Sequence, residues 1–229
     1  VYMLTLLNSD FEEWHRKFPE KPLEEFPFRI SKMSRSGALF DLDKLNDISK
    51  TELSAFSAEE MLSFLREWAF AYGTQKEQAY FTDEAYLLKV LSLCMGIGGK
   101  KHRKDFITAK QAMGEIGYFF GDYVQKDGYR VDIATRDAVL RKFLETYDPS
   151  DDAQMWFAKV KQIAAELGFA AEMRDYKANP AAYKGSVSDV AEVLRVAVTG
   201  RANSPDLWTI MQIFGEERTR TRIAHAMAE

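Results

Sequence analysis

Chemistry-bearing side chains come closest together in the run Lys32, Met33, Ser34, Arg35, Ser36 and Gly37. Two cations and two hydroxyls within five residues, followed by a glycine, can turn charge and backbone N–H groups toward one anion, and a polyphosphate suits such a loop. The flanks say what must hold it. Pro22 and Pro27 bring the chain in extended, so Phe28, Arg29 and Ile30 are expected to form a short strand leading into the loop. Beyond Gly37, Leu39, Leu42, Leu45 and Ile48 recur every three residues, which predicts a helix anchoring its far end.

A second concentration of charge, Lys100, Lys101, His102, Arg103 and Lys104, follows Gly96, Gly98 and Gly99. The segment Gly96 to Lys101 is not a phosphate loop, because its spacing is wrong, no Ser or Thr follows the lysines, and it leaves a helix rather than a strand. Two readings stay open: a solvated helix-end loop favoured by the helix dipole, or a contact to an RNA backbone. No Gly-x-Ser-x-Gly, no metal-ligand spacing and no carboxylate pair stands out from ordinary helix surface charge, so the chain has no complete active site and no metal site is expected. His15, alone beside aromatics and cations, reads as a surface or interface residue.

The remaining pattern is helical. Val1 to Leu7 reads as an apolar turn or strand, and Ser9 with Glu12 opens a short helix through Phe11, Trp14 and Phe18 that Pro19 stops. The pairs Ser49/Glu52, Ser57/Glu60 and Ser186/Asp189 have capping-box spacing, predicting helix starts near Lys50, Ala58 and Val187. Thr82 or Asp83 and Ser150 are further expected caps, Ile107 to Phe120 and Asp132 to Tyr147 are expected to be helical, and Gly73, Gly96, Gly168, Gly200 and Gly215 are expected to end helices. Ser204 before Pro205 reads as a cap followed by a first-turn proline. The fold class is therefore mainly α. Three units are expected, residues 1–80, 81–149 and 150–229, the last boundary falling at the turn formers Asp148, Pro149 and Ser150.

Composition narrows the class. The 229 residues are 46% hydrophobic, enough to fill cores, with a formal net charge of −4. An acidic balance argues against nonspecific coating of nucleic acid, so any RNA contact must be local. One cysteine, Cys94, excludes an intrachain disulfide and fits a reducing cytosol. The apolar start is too short for a membrane span and lacks signal-peptide features, so no membrane role is expected. Without Met at position 1, the chain reads as a fragment.

Lys32-Met33-Ser34-Arg35-Ser36 resembles the Lys-Met-Ser-Lys-Ser loop of class I aminoacyl-tRNA synthetases, and with GALFDLDKLNDISK behind it the chain resembles the C-terminal half of a bacterial glutamyl-tRNA synthetase. That resemblance implies a helical stem-contact region followed by a two-part helical cage that binds the anticodon. It implies that Lys32 and Arg35 stabilise the ATP phosphates, with Met33, Ser34 and Ser36 completing the nucleotide loop; Arg35 stands where the family has lysine and changes the shape of that charge. LRVAVTGRANSPDLWTIMQIFGEERTRTRIAHAM is similar to the terminal anticodon-binding region. Position by position it assigns Arg195, Ser204, Pro205 and Leu207 to anticodon bases, while capping and packing remain the competing account of each.

The implied parent is a cytoplasmic, monomeric ligase that joins glutamate to tRNA(Glu) using ATP and Mg2+, neither of which this part is expected to bind alone. Glutaminyl-tRNA synthetases share the loop, but their anticodon domains are β-barrels. The alternative is a non-enzymatic helical tRNA-binding or scaffold module. The family's His-Ile-Gly-His-type motif and amino-acid pocket do not occur in these residues, so the isolated chain is expected to form no glutamyl-adenylate; a measurable rate of adenylate formation would overturn this.

Overall fold

A computed structural model describes residues 1–33, 39–99, 101–121 and 127–228. Ser34, Arg35, Ser36 and Lys100 lie outside them. The helices are α1 (Tyr2–Leu7), α2 (Phe11–Lys17), α3 (Leu42–Ser54), α4 (Ala58–Tyr72), α5 (Gln75–Ala79), α6 (Glu84–Met95), α7 (Ala109–Ile116), α8 (Ile133–Thr146), α9 (Ala153–Glu166), α10 (Met173–Ala178), α11 (Val187–Thr199) and α12 (Leu207–Ala228). Among the described residues, extended pairing is confined to two isolated bridges, Asn8 with Met33 and Ala170 with Ser186. The mainly α fold is as expected from the sequence.

Local signals set most starts. Ser57 and Glu60 exchange side chain and backbone at 3.2 and 2.7 Å to open α4, Ser186 and Asp189 form the same box at α11, and Asp83 and Asp132 cap α6 and α8. Gly96 and Gly200, at φ 69° and 74°, end α6 and α11 in the left-handed region that a side chain disfavours. Gly215, at φ 76° and ψ 173°, breaks α12 into two parts, as expected.

Several expectations are corrected. Val1 to Leu7 is a helix, and α2 is capped by Asp10 without a side-chain bond. Phe28 to Ile30 makes no strand; a single 3-10 turn, Ile30–Lys32, replaces it, because the chain there pairs with one residue of the α1–α2 joint and with no partner strand. Leu39 is 89% exposed and precedes α3, which begins at Leu42 behind the Asp41 cap and runs through Lys50 without a new start. Ser49 bonds the Ile107 carbonyl instead of capping. Asp152, not Ser150, caps α9, and α7 gives way to a 3-10 turn at Gly117–Phe120.

Two cores result. A small aromatic one joins α1 and α2 to the connector: Phe11 is fully buried and meets Phe26 edge-on at 5.0 Å, with Trp14 5.3 Å from the same ring. The main core is one cluster from Leu53 to Ala226 that continues across Pro149. α4 packs on α6 and α7, while α8, α9, α11 and α12 pack on one another, with α12 also reaching α6.

The second half of α12 closes this core with arginines. Arg218 donates to the Phe119 carbonyl at 2.6 Å, Arg220 to the Leu144 and Tyr147 carbonyls at 3.0 and 2.9 Å, and Arg222 to the Val198 carbonyl at 2.7 Å and to that of Tyr118. These oxygens lie at the C-terminal ends of α8, α11 and the 117–120 turn, where carbonyls lack intrahelical donors. Arg222 is 9% exposed and lies over Phe214 at 4.4 Å. Replacing Arg222 with Ala strands two buried carbonyls and is expected to cost about 3 kcal/mol in urea unfolding; a loss below about 1 kcal/mol would contradict this account.

Candidate nucleic-acid interface

The segment after α11 is built by its own last turn. Thr199, fully buried, donates its hydroxyl to the Arg195 carbonyl at 2.8 Å and accepts from the Arg201 N–H at 3.2 Å. Gly200 reverses the chain, and Asp127 accepts from the Ala202 N–H at 2.7 Å. Arg195, half-buried, then reaches along the loop. Its Nη1 donates to the Ser204 carbonyl, the Ser204 Oγ and the Pro205 carbonyl at 3.1, 3.0 and 3.3 Å. Burial lowers the Arg195 pKa, with Asp206 opposing that shift.

These bonds correct the expected cap. Asp206 accepts from the Thr209 N–H at 2.8 Å and opens α12, so Ser204 is left to bind Arg195 rather than a helix amide. Leu207 is 3% exposed and packs into the core at the first turn of α12. Of the four residues that the resemblance assigned to anticodon bases, Arg195 is bonded to Ser204 and Pro205, and two, Ser204 and Leu207, are buried.

The described part of the basic run, residues 101–104, folds back on the end of α3. The His102 ring nitrogen Nδ1 bonds the Ser54 carbonyl at 2.8 Å and Lys104 Nζ donates to the Thr51 hydroxyl at 3.1 Å. The Arg103 N–H covers the Met95 carbonyl at the end of α6, at 2.7 Å, while its guanidinium pairs with Asp105 at 2.6 Å. Lys101 is exposed.

The two sites meet. An open cleft of about 360 Å³ is lined by Arg103 and Lys104 on one side and by Ser204 and Pro205 on the other, with Lys50 and Arg201 between them. Its charged lining consists of Lys50, Arg103, Lys104 and Arg201 against Asp105 and Glu115, four cations to two carboxylates, which leaves two positive charges on an acidic chain. Arg201 is fixed by an ion pair with Glu115 and a 3.1 Å bond to the Gly114 carbonyl, and lies 5.2 Å over the Tyr118 ring. Tyr118 is 3% exposed; its hydroxyl has no partner, and burial raises its pKa, so it stays protonated.

No sequence signal pointed to Lys50, Tyr118 or Arg201. Each lies within an apparently ordinary helix or loop, and only packing brings them to the cleft. The cleft offers cations and neutral donors without a nucleophile paired to a base, and no group of His, Cys, Asp or Glu among the described residues could hold a metal. Such a lining suits an anionic ligand.

At the other end, Lys32 ends the Ile30–Lys32 turn, half-exposed, with its Nζ 3.3 Å from Asp10. Met33 pairs with Asn8. Ser34, Arg35 and Ser36, expected from the sequence to complete a nucleotide loop with them, lie outside the described residues.

An all-helical binding domain with an electropositive cleft is the class that this geometry defines. Residues 65–227 match the family model of the anticodon-binding domain, and the chain belongs to that family. It is 48% identical over 225 residues to the glutamate–tRNA ligase of Acetivibrio thermocellus, covering 97% of this chain and 41% of that ligase. It is also 37% identical over 229 residues to the glutamate–tRNA ligase of Clostridium perfringens, covering 97% of this chain and 42% of the relative. The chain thus spans about two fifths of the length of these relatives. The crystal structure of glutamate-tRNA synthetase from Elizabethkingia anophelis shares the fold over 88% of this chain and 34% of its own, with TM-score 0.57 at 16% identity.

Cys94 gives the cleft a solution probe. Burial pushes its thiol up to about 12 against the partial opposition of Arg103. Because only the thiolate reacts, the folded protein at pH 8 should hold on the order of a thousandfold less thiolate than the unfolded chain. Iodoacetamide labelling is therefore expected to await unfolding in urea, and comparable rates in folded and unfolded protein would refute this.

Proposed function

We propose that the chain is the tRNA-binding part of a glutamate–tRNA ligase. The observation that carries this is the cleft, where Arg103 and Lys104 of the basic run and the Ser204–Pro205 loop come together though a hundred residues apart. Arg103, Lys104, Lys101 and Lys100 then serve the RNA backbone, with Lys50 and Arg201 added to them, because a cation repays its desolvation by releasing a counterion from phosphate. Ser204 and Pro205 face the anticodon bases. Arg195 holds both from behind through Nη1 and presents its remaining donors to a base edge. Leu207 acts by setting the first turn of α12 beneath them.

The same reading assigns Lys32 and Arg35 to the phosphates of ATP, with Met33, Ser34 and Ser36 beside the nucleotide. Lys32 fits: its ammonium is half-exposed and forms a surface ion pair with Asp10, and exchanging that partner for a phosphate oxygen costs little. Magnesium would arrive with the nucleotide phosphates, since the described residues offer no acidic cage for it. The whole ligase would join glutamate to tRNA(Glu) in the cytoplasm as a monomer. Residues 1–80 would supply the loop and stem contact, and residues 81–149 and 150–229 the two halves of the anticodon cage. No helix among the described residues is long and apolar enough to cross a membrane.

Gel-shift titration tests both parts. tRNA with a glutamate anticodon is expected to bind at least about tenfold tighter than the same tRNA with its anticodon exchanged, each lost base contact costing about 1–3 kcal/mol. Equal affinities would favour a scaffold without sequence reading. Changing Lys50 and Lys104 to Gln should weaken both tRNAs alike and lower the salt slope by roughly one to two.

A further inference from the structure

The two stems of the basic loop are held by one short helix. On the near side, Asn8, 1% exposed, donates from Nδ2 to the Arg29 carbonyl at 2.9 Å and accepts at Oδ1 from the Asp10 N–H at 3.3 Å. Its backbone pairs with Met33, and the next N–H, of Ser9, donates to the Lys32 carbonyl at 3.3 Å. On the far side, the Tyr2 hydroxyl donates to the Asp41 carbonyl at 3.0 Å and accepts from the Asp41 N–H at 2.7 Å, its ring edge-on to Phe40 at 5.8 Å. Asp41 in turn caps α3 by accepting from the Lys44 N–H at 3.0 Å.

Tyr2 and Asn8 stand at the two ends of α1, which rises about 9 Å between them. The link from Met33 to Asp41 could reach roughly 27 Å if extended, so its own length does not set the separation of its ends. α1 sets it. A buried asparagine with both amide atoms used, and a tyrosine hydroxyl bonded twice to one residue's backbone, satisfy main-chain groups of the stems directly, and an apolar replacement of either would leave those groups without these partners.

We propose that Asn8 and Tyr2 are positioning residues that fix where Lys32 and the loop's far stem stand relative to a nucleotide's phosphates. This rests on the reading of Lys32 as a phosphate-directed cation. A group that stabilises charge only as it develops must already be in place, so a shifted stem slows turnover more than it weakens ground-state ATP binding.

The test uses the full-length ligase, following ATP–pyrophosphate exchange with glutamate and tRNA present. Tyr2→Phe keeps the ring and removes only the hydroxyl; it is expected to lower kcat about tenfold while KM for ATP, tRNA affinity and Tm change little, and Asn8→Ala to lower kcat further. A kcat for Tyr2→Phe within twofold of the parent, or a fall accounted for by unfolded protein at the assay temperature, would overturn the proposal. Lys32→Ala is the control on its foundation: exchange as fast as the parent's would remove the phosphate reading and this proposal with it. A slow Lys32→Ala with a fast Tyr2→Phe removes the positioning role alone.

Discussion

Helix C-termini expose carbonyls that nothing inside the helix can satisfy, and in this protein the last helix meets that constraint with guanidinium groups. Arg218, Arg220 and Arg222 lie beyond the Gly215 break and reach the ends of the 117–120 turn, α8 and α11. A planar fork bonds two carbonyls at once, its charge complements the negative end of the helix dipole, and its flat face rests on Phe214 or Tyr147. These arginines form the most conspicuous basic stretch near the C-terminus, and they are occupied by the protein itself. The charge that faces outward comes from other places.

The cleft shows where. His102, Lys104 and Ile107 are tied to α3 by Ser54, Thr51 and Ser49, and the Ser204–Pro205 loop is shaped by Gly200, Thr199 and Arg195. Arg201 stands between, stacked on Tyr118 and paired with Glu115. Because three of the cations, Lys50, Arg103 and Arg201, are partly neutralised by Asp47, Asp105 and Glu115, the positive potential is local and moderate, in keeping with a chain whose net charge is −4.

The loop at the other end is organised differently. Its described stems bond Asn8 and Tyr2, at the two ends of α1. His15 bridges α2 to Glu52 of α3 at 3.1 Å and Lys44 reaches Glu12 at 3.3 Å, tying α1 and α2 to the helix that continues the loop. The aromatic cluster around Phe11 and Phe26 supports this small unit apart from the main core.

What the order of residues determined unaided was helix type and many helix ends. Capping boxes at Ser57 and Ser186, left-handed glycines at positions 96 and 200, and the break at Gly215 are local, and local chemistry reads out directly. The two cationic segments and the Ser204–Pro205 turn were legible as candidate sites for the same reason. Where long-range bonds competed, local signals failed: Ser204 bonds Arg195 instead of capping α12, Ser49 bonds Ile107 instead of starting a helix, and Phe28 to Ile30 found a single partner residue where a strand needs a neighbour. Tertiary structure alone decided that residues near 50, 104, 118 and 201 share one cleft and that α1 spans both stems of the loop. Those juxtapositions come from packing of an apolar core, whose forces are not directional and leave no spacing in the sequence to be read.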